Sequence, residues 1–335
     1  MVFEVSPFTL LSNDGKLSIP MDEPTIKQRQ KVEVQPEGVI MEERTTLIKD
    51  NKVKRVTKRR LYTWDEIPEW QRDNEHIIRG YVMETKSLRD CIIALTYWHN
   101  ESINIYTHLI PACFFLLTML FNEYLLTHFR TTGLIDIIMI DLFLLGGFTC
   151  LMMSSTFHCL KCHSIEVATF GNKLDYLGIV ALIVSSMVSI LYYGFFDNLP
   201  YFLTFSSLTI SFGIACATVS LSDRFRTREW RPYRAMLFVA FGLSALIPII
   251  AGAFRYGVKE TWVRIQVKWV IFEGVFYILG AFLYGVRFPE RVAPGKFDIW
   301  GHSHQLFHVL VVVAACCHFR ALLGAYALVH KRIVL

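Results

Sequence analysis

Two histidines near the carboxyl end of the chain have the spacing of metal ligands. His304 and His308 stand four residues apart in segment 301–308, which opens a long apolar run. On a helix, residues four apart project from one face, one turn from each other. Two imidazoles so placed can bind one zinc ion. His302 lies about 200° round the same helix from His304, so we expect it to face elsewhere.

The rest of the chain must bring further ligands to the same place, and its composition indicates how. Of the 335 residues, 53% are hydrophobic and 14% aromatic, which is typical of a membrane protein. Seven apolar segments have about 20 residues each, the length that crosses a bilayer. They are 103–126, 134–157, 176–196, 199–221, 235–254, 265–286 and 306–329. The sequence therefore predicts an all-α integral membrane protein, a bundle of seven transmembrane helices.

Charge in the connecting loops predicts the orientation of the bundle. The loops on the side of the amino terminus carry ten Lys and Arg residues between positions 161 and 296, and those on the other side carry six between positions 130 and 332. The positive-inside rule then places the amino terminus in the cytosol and the carboxyl terminus outside or in a lumen. The first thirty residues lack a long apolar stretch, so we expect no signal peptide. We expect a multi-pass protein of the plasma membrane or endoplasmic reticulum.

The chain divides into four parts by composition. Residues 1–60 are predicted to be a flexible polar and basic cytosolic tail, and 61–100 an ordered cytosolic pre-membrane region with a short amphipathic helix capped by Ser87. The seven-helix domain covers 101–330, and 331–335 form an extracellular or lumenal tail. The net charge is +5, but the Lys and Arg residues lie between apolar runs and do not cluster on a soluble face. This distribution argues against nucleic acid as a partner.

Topology predicts a third ligand and a catalytic partner. Counted from a cytosolic start, the second span ends with His158, the third opens with Asp175, and the seventh opens with His304 and His308. All four then lie near the cytosolic face at similar depth, which predicts an intramembrane zinc site there. Taken alone, His158 is also consistent with an interfacial histidine bonded to a carbonyl group.

Other polar residues give competing interpretations. Cys159 and Cys162 form one Cys-x-x-Cys pair, but a structural zinc site needs four ligands, so we expect reduced thiols. His318 lies about 21 Å deeper than His304 and cannot join the cluster. We expect His108 to be a hydrogen bonder in helix packing. The acidic residues within spans are expected to face a cavity or one another; they are Asp136, Asp141 and Glu273.

Three neutral histidines leave one tetrahedral zinc position open, which is the arrangement of a catalytic site. Zinc lowers the pKa of bound water to about 7. Asp175 can hydrogen-bond that water, take its proton and return it to a leaving group. Ser154, one turn before His158, can orient a ligand or stabilise an oxyanion. An alternative role for Asp175 is the cap of a helix amino terminus.

At these positions the chain resembles the progestin and adipoQ receptor family, in its adiponectin-receptor-like and fungal, haemolysin-III-related zinc-homeostasis branch. The matching stretches are 61–81, 99–108, 154–158, 173–176 and 301–308. The resemblance implies a seven-helix fold with a cytosolic amino terminus and zinc held by His158, His304 and His308. It also implies that Asp175 holds water and that Ser154 supports the site.

The resemblance favours one function and leaves others open. It implies a zinc-dependent hydrolase that cleaves ceramide-like lipids to a sphingoid base and a fatty acid and influences lipid and zinc homeostasis. The alternative is a signalling receptor with a structural zinc, little or no hydrolase activity and an extracellular protein ligand. A zinc transporter is disfavoured because a transport path needs polar groups along its whole length, whereas the candidate ligands cluster at one face.

Overall fold

The hairpin at the amino-terminal side is a unit of its own. A computed structural model describes residues 42–49, 52–126, 129–225 and 228–334 of the chain. In it β1 (Glu42–Lys49) pairs antiparallel with β2 (Lys52–Arg59), in a register from Glu42 opposite Arg59 to Lys49 opposite Lys52. The hairpin is separate from the unit that begins at Leu61. The remainder of the predicted tail, 1–41 and 50–51, lies outside the described residues.

The second unit is mostly helical. Two short strands, β3 and β4, pair antiparallel ahead of the helices. The elements in order are β3 (Tyr62–Thr63), a 3₁₀ turn (Glu69–Gln71), β4 (Arg79–Tyr81), α1 (Leu88–Ala94), α2 (Ser102–Leu120), α3 (Asn122–Leu126), α4 (Leu134–Leu160), α5 (Ile165–Gly194), α6 (Leu199–Leu221), 3₁₀ turns Asp223–Phe225 and Arg228–Trp230, α7 (Arg231–Leu243), α8 (Leu246–Tyr256), α9 (Val258–Arg264), α10 (Val267–Val286) and α11 (Ser303–Val334).

Seven helical segments of the described chain are long and apolar enough to cross a membrane. They are α2, α4, α5, α6, Pro232–Tyr256 (α7 with α8), α10 and Ser303–Ile333 of α11. The prediction of seven spans is confirmed. Ser87 caps α1, as predicted, by accepting a hydrogen bond from the Asp90 amide.

The predicted start of the third span is wrong. Helix α5 begins at Ile165, where the Ser164 hydroxyl accepts the Val167 amide, and not at residue 176. Its 30 residues extend about 45 Å at 1.5 Å per residue, longer than a ~30 Å hydrocarbon core. Hydropathy reports only the part of a helix within lipid, so it misses polar turns that project beyond it.

Small residues let α4 and α5 pack closely. A Cβ atom at Gly178 would lie 2.9 Å from the Cys150 Cα, and one at Gly146 would clash with Ser185. Small residues at such positions allow helix backbones to approach in a membrane. The contact fixes the part of α4 that carries Ser154 against the part of α5 that carries Asp175.

The buried core lies between α2, α4, α5 and α11. It includes Phe115, Phe143, Leu151 and Leu322. By contrast, few residues are buried in two of the spans. In an 18-residue apolar stretch of each, only 11% are buried in Pro232–Tyr256 and 6% in Val267–Val286, so these helices lie at the periphery of the bundle.

The acidic residues in spans do not face one another. Asp136 lies 3.1 Å from His330 Nε2, Asp141 accepts the Asn122 amide at 2.9 Å, and Glu273 accepts His318 Nδ1 at 2.8 Å. Each carboxylate therefore has its own partner on another helix, as the cost of burying a charge in lipid requires.

Candidate metal centre

Three imidazoles meet at one end of the bundle. His158 lies near the end of α4, and His304 and His308 occupy one face of the first turns of α11. His304 Nε2 is 3.2 Å from His158 Nε2. One ring nitrogen from each of the three lies within 4.8 Å of the others. The group can hold one metal ion.

In two of these imidazoles, a hydrogen bond made by Nδ1 fixes the orientation of the ring. His158 Nδ1–H donates to Glu101 Oε2 at 2.7 Å, and His308 Nδ1–H donates to the Asn104 carbonyl at 3.0 Å. Each bond fixes the tautomer whose Nε2 lone pair is free to bind a metal. His158 and His308 are each only 2% exposed, so this geometry is held by packing as well. The donor set fits zinc, which takes neutral imidazole ligands.

Glu101 is the site residue that the sequence reasoning missed. It directly precedes α2, and its carboxylate accepts Lys161 Nζ at 2.7 Å and Asn104 Nδ2 at 2.6 Å. Burial opposes its ionisation, but Lys161 and His158 hold its pKa well below the usual range. It is therefore a carboxylate facing His158. Its sequence signals are its position just before an apolar span and its place in the family-like stretch 99–108. Neither shows its contact with His158, because that partner lies 57 residues away.

The other histidines near the centre take the places predicted for them. His302 Nε2 donates to the Asn100 carbonyl at 3.2 Å and does not join the cluster. His108 Nε2 donates to the His308 carbonyl at 3.3 Å, and its ring stacks on His308 with centroids 3.8 Å apart. His318 pairs with Glu273, far along α11. These three predictions are confirmed.

Asp175 and Ser154 lie beside the cluster. Ser154 is buried on α4 near Asp175, which is partly buried and lies within electrostatic range of His158 and Lys161. Asp175 stands inside α5, ten residues after Ile165. The alternative role as a helix cap is therefore wrong, since Ser164 has that role.

A polar pocket opens next to His304. It has about 450 Å³ of empty space, and its lining includes Gln71, Asn104, Lys161 and Tyr284. Among the described residues, Gln71 Oε1 and Asn104 Oδ1 are buried without a hydrogen-bond partner. Both are acceptors, because their amide nitrogens already donate to Val82 and Glu101. The pocket can therefore take a ligand group with N–H or O–H donors.

An apolar cavity lies at the opposite end of α5. It has about 530 Å³ of empty space and is lined by Leu191, Phe195, Ile249 and Arg264, among others. Its lining comes from the ends of α5, α8 and α9 away from the histidines. It is not part of the metal centre.

The Cys-x-x-Cys alternative finds no support in the described chain. All eight cysteines are described and free, and Cys159 and Cys162 belong to no group of three or more close metal-ligating side chains. The expectation of free thiols is confirmed.

The fold and the site define a class, a multi-pass membrane protein of seven spanning helices with three histidines clustered at one end. Residues 96–319 match the model of the haemolysin-III-related family, and the chain belongs to that family. It is 61% identical over 272 residues to the ADIPOR-like receptor IZH2 of Saccharomyces cerevisiae, covering 81% of this chain and 86% of that protein.

Animal proteins are similar over a comparable length of the chain. The chain is 39% identical over 268 residues to the adiponectin receptor protein of Drosophila melanogaster, covering 77% of this chain and 58% of the fly protein. It is 37% identical over 261 residues to progestin and adipoQ receptor-like protein 1 of Caenorhabditis elegans, covering 78% of this chain and 59% of that protein. The family resemblance is confirmed.

Proposed function

We propose that this protein is a zinc-dependent intramembrane hydrolase that cleaves the amide of ceramide-like lipids. The observation that carries the proposal is the set of three convergent histidines, two of them buried and oriented by Glu101 and Asn104. His158, His304 and His308 would hold the ion. When bound, zinc acidifies water and polarises a carbonyl oxygen.

The protein side chains supply the proton transfers. Asp175 takes a proton from water and returns it to the amine that leaves, so that the products are a sphingoid base and a fatty acid. Ser154, which lies near Asp175, would orient its carboxylate. The unpartnered acceptors of Gln71 and Asn104 suit the hydroxyl and amino groups of a sphingoid base. Through this reaction the protein would influence lipid and zinc homeostasis.

We infer that the amino terminus is cytosolic and that the site lies near the cytosolic face, in the plasma membrane or endoplasmic reticulum. The support is the excess of Lys and Arg in the loops on the side of the site. A glycosylation acceptor fused after the last residue should be modified in the lumen, and one fused before Met1 should not; the reverse pattern would refute the orientation.

Metal content and ceramide turnover, measured side by side, test the function. The parent should hold about one zinc per chain. His304→Ala should lose zinc and turnover together, whereas Asp175→Asn should keep zinc and lose at least about 100-fold in turnover. His302→Gln, next to the cluster but outside it, is the matched control and should keep both. Hydrolysis by His304→Ala at the parent rate would rule out the proposal.

A second candidate function is a receptor with a structural zinc and an extracellular protein ligand. It is favoured by the receptor names of the yeast and fly relatives. In that case zinc removal lowers the thermal stability, and Asp175→Asn leaves signalling intact. The Asp175→Asn variant therefore separates the two functions, because only the hydrolase depends on that carboxylate for its output.

A further inference from the structure

Two cysteines that are distant in sequence meet beside the metal centre without taking part in it. Cys91 lies on α1, and Cys162 lies in the turn after α4, 71 residues away. Their sulfur atoms are 3.6 Å apart, with the Cys162 thiol donating to the Cys91 sulfur. Neither residue belongs to the three-histidine group.

The backbone holds the two sulfur atoms in register. The Thr85 amide donates to the Cys162 carbonyl and the Lys86 amide to the His163 carbonyl, both at 2.9 Å. A disulfide has an S–S bond of about 2.05 Å, so the sulfurs need to approach by only about 1.5 Å. Rotation of the two side chains can supply such a movement.

One thiol of the pair, Cys91, has the acidity that thiol chemistry needs. The hydrogen bond to Cys91 and burial raise the pKa of Cys162, which therefore keeps its proton. Hydrogen bonds from Cys162 and Thr85 lower the pKa of Cys91 to about 7, although burial acts in the opposite direction. Thiolate is the reactive form of cysteine, and a value near 7 leaves a large thiolate fraction at neutral pH. Cys162 is partly exposed, whereas Cys91 is buried. An oxidant therefore approaches the buried Cys91 thiolate from the side of the partly exposed Cys162.

We propose that Cys91 and Cys162 are a peroxide-sensitive pair that closes to a disulfide. In the first step the Cys91 thiolate attacks one oxygen of hydrogen peroxide, the O–O bond breaks, and the departing hydroxide takes the Cys162 proton to leave as water, with a sulfenic acid on Cys91. In the second step the Cys162 thiolate so formed attacks that sulfur, the S–O bond breaks, and the hydroxide takes up a proton to leave as water. Two thiols thus give up two electrons, peroxide is reduced to two waters, and both thiol protons end in those waters.

The disulfide would tie the pre-membrane helix α1 to the turn that follows α4. That turn carries Lys161, whose ammonium group binds Glu101 at 2.7 Å. His158 stands one helical turn before Cys162. The oxidised bond would therefore restrain the residues that orient His158, and reduction would release them.

Peptide mapping of the full-length protein in lipid nanodiscs tests the proposal. After graded hydrogen peroxide, free thiols are alkylated and the protein is digested without reductant. The parent should lose two of its eight free thiols and give one linked peptide joining Cys91 to Cys162, and dithiothreitol should reverse both changes.

Cysteine variants supply the controls. Cys159→Ser removes the neighbouring thiol, which donates to the Cys91 carbonyl at 3.8 Å, and should leave the linked peptide unchanged. Cys162→Ser should abolish it. The proposal is overturned if the parent link contains Cys159, or if Cys91 and Cys162 are both still alkylated after treatment with excess hydrogen peroxide.

Discussion

The carboxylate of Glu101 connects three parts of the candidate centre. It accepts hydrogen bonds from His158, Lys161 and Asn104, and Asn104 in turn accepts His308 through its carbonyl group. A carboxylate behind a metal-binding imidazole fixes its tautomer and raises its basicity. Glu101 is therefore a positioning residue for His158 and, through Asn104, for His308.

Glu101→Gln should weaken zinc binding by about 10- to 100-fold while the fold is kept. The amide has the shape of the carboxylate, but it lacks the charge that holds the His158 N–H and the Lys161 ammonium. Competition with a chelator of known affinity measures the change. Glu69→Gln, an exposed acid in the same region, is the control and should bind zinc as the parent does. Equal affinities in all three proteins would show that Glu101 has no positioning role.

Individual residues differ in how far the sequence predicted them. His302 was separated from His304 because helical periodicity is local and needs no partner. Glu101 was missed because its contact to His158 spans 57 residues and leaves no spacing pattern. Hydropathy predicts a helix start at Asp175. The structure places the start of α5 at Ile165 instead, because the Ser164 hydroxyl caps the helix there.

At the scale of elements, the contact between α4 and α5 sets the distance from the histidine cluster to Asp175. Gly178 of α5 lies very close to the backbone of α4. A Cβ atom added at Gly178 would be 2.9 Å from the Cα atom of Cys150. A backbone atom cannot turn aside as a side chain can. An added methyl group must therefore separate the helices.

Gly178→Ala should lower the free energy of unfolding by about 1–3 kcal/mol, the usual cost of overpacking. It should also reduce turnover, because Ser154 and Asp175 move apart with their helices. Thermal unfolding in detergent and the ceramide assay measure the two effects. Gly274→Ala on α10 is the matched control, since nothing lies within 4 Å of its added Cβ. If both variants behave like the parent, the close approach of α4 and α5 is not what positions the site.

At the scale of the whole molecule, an ion-pair network closes the end of the bundle away from the histidines. The Arg264 guanidinium binds Asp197 at 2.7 and 2.8 Å and Glu260 at 2.8 Å, and it lies 3.9 Å from the centre of the Tyr256 ring. Arg332, near the end of α11, also binds Glu260. The network joins the ends of α5, α9 and α11.

The network predicts a pH dependence of stability. Hydrogen bonds from Arg332 and Arg264 lower the pKa of Glu260 to about 2, below its ordinary value of 4.5. Because the folded-state pKa is the lower one, the stabilisation is complete above pH ~4.5 and is lost as the pH falls towards 2. The parent should exceed Glu260→Gln in melting temperature by a constant amount above pH ~4.5, and the difference should shrink at lower pH. A difference that stays constant down to pH 2.5 would show that Glu260 is not the titrating group.

The sequence by itself determined the seven helices, the shared face of His304 and His308, and the family to which the chain belongs. These follow from apolar run length, helical periodicity and ordered motifs, all of which are local in the chain. The tertiary structure alone decided that Glu101 faces His158, that Gly178 lets α5 approach α4, and that Cys91 meets Cys162. Such contacts join residues tens of positions apart, and they depend on helix starts, capping bonds and packing distances that no local pattern records.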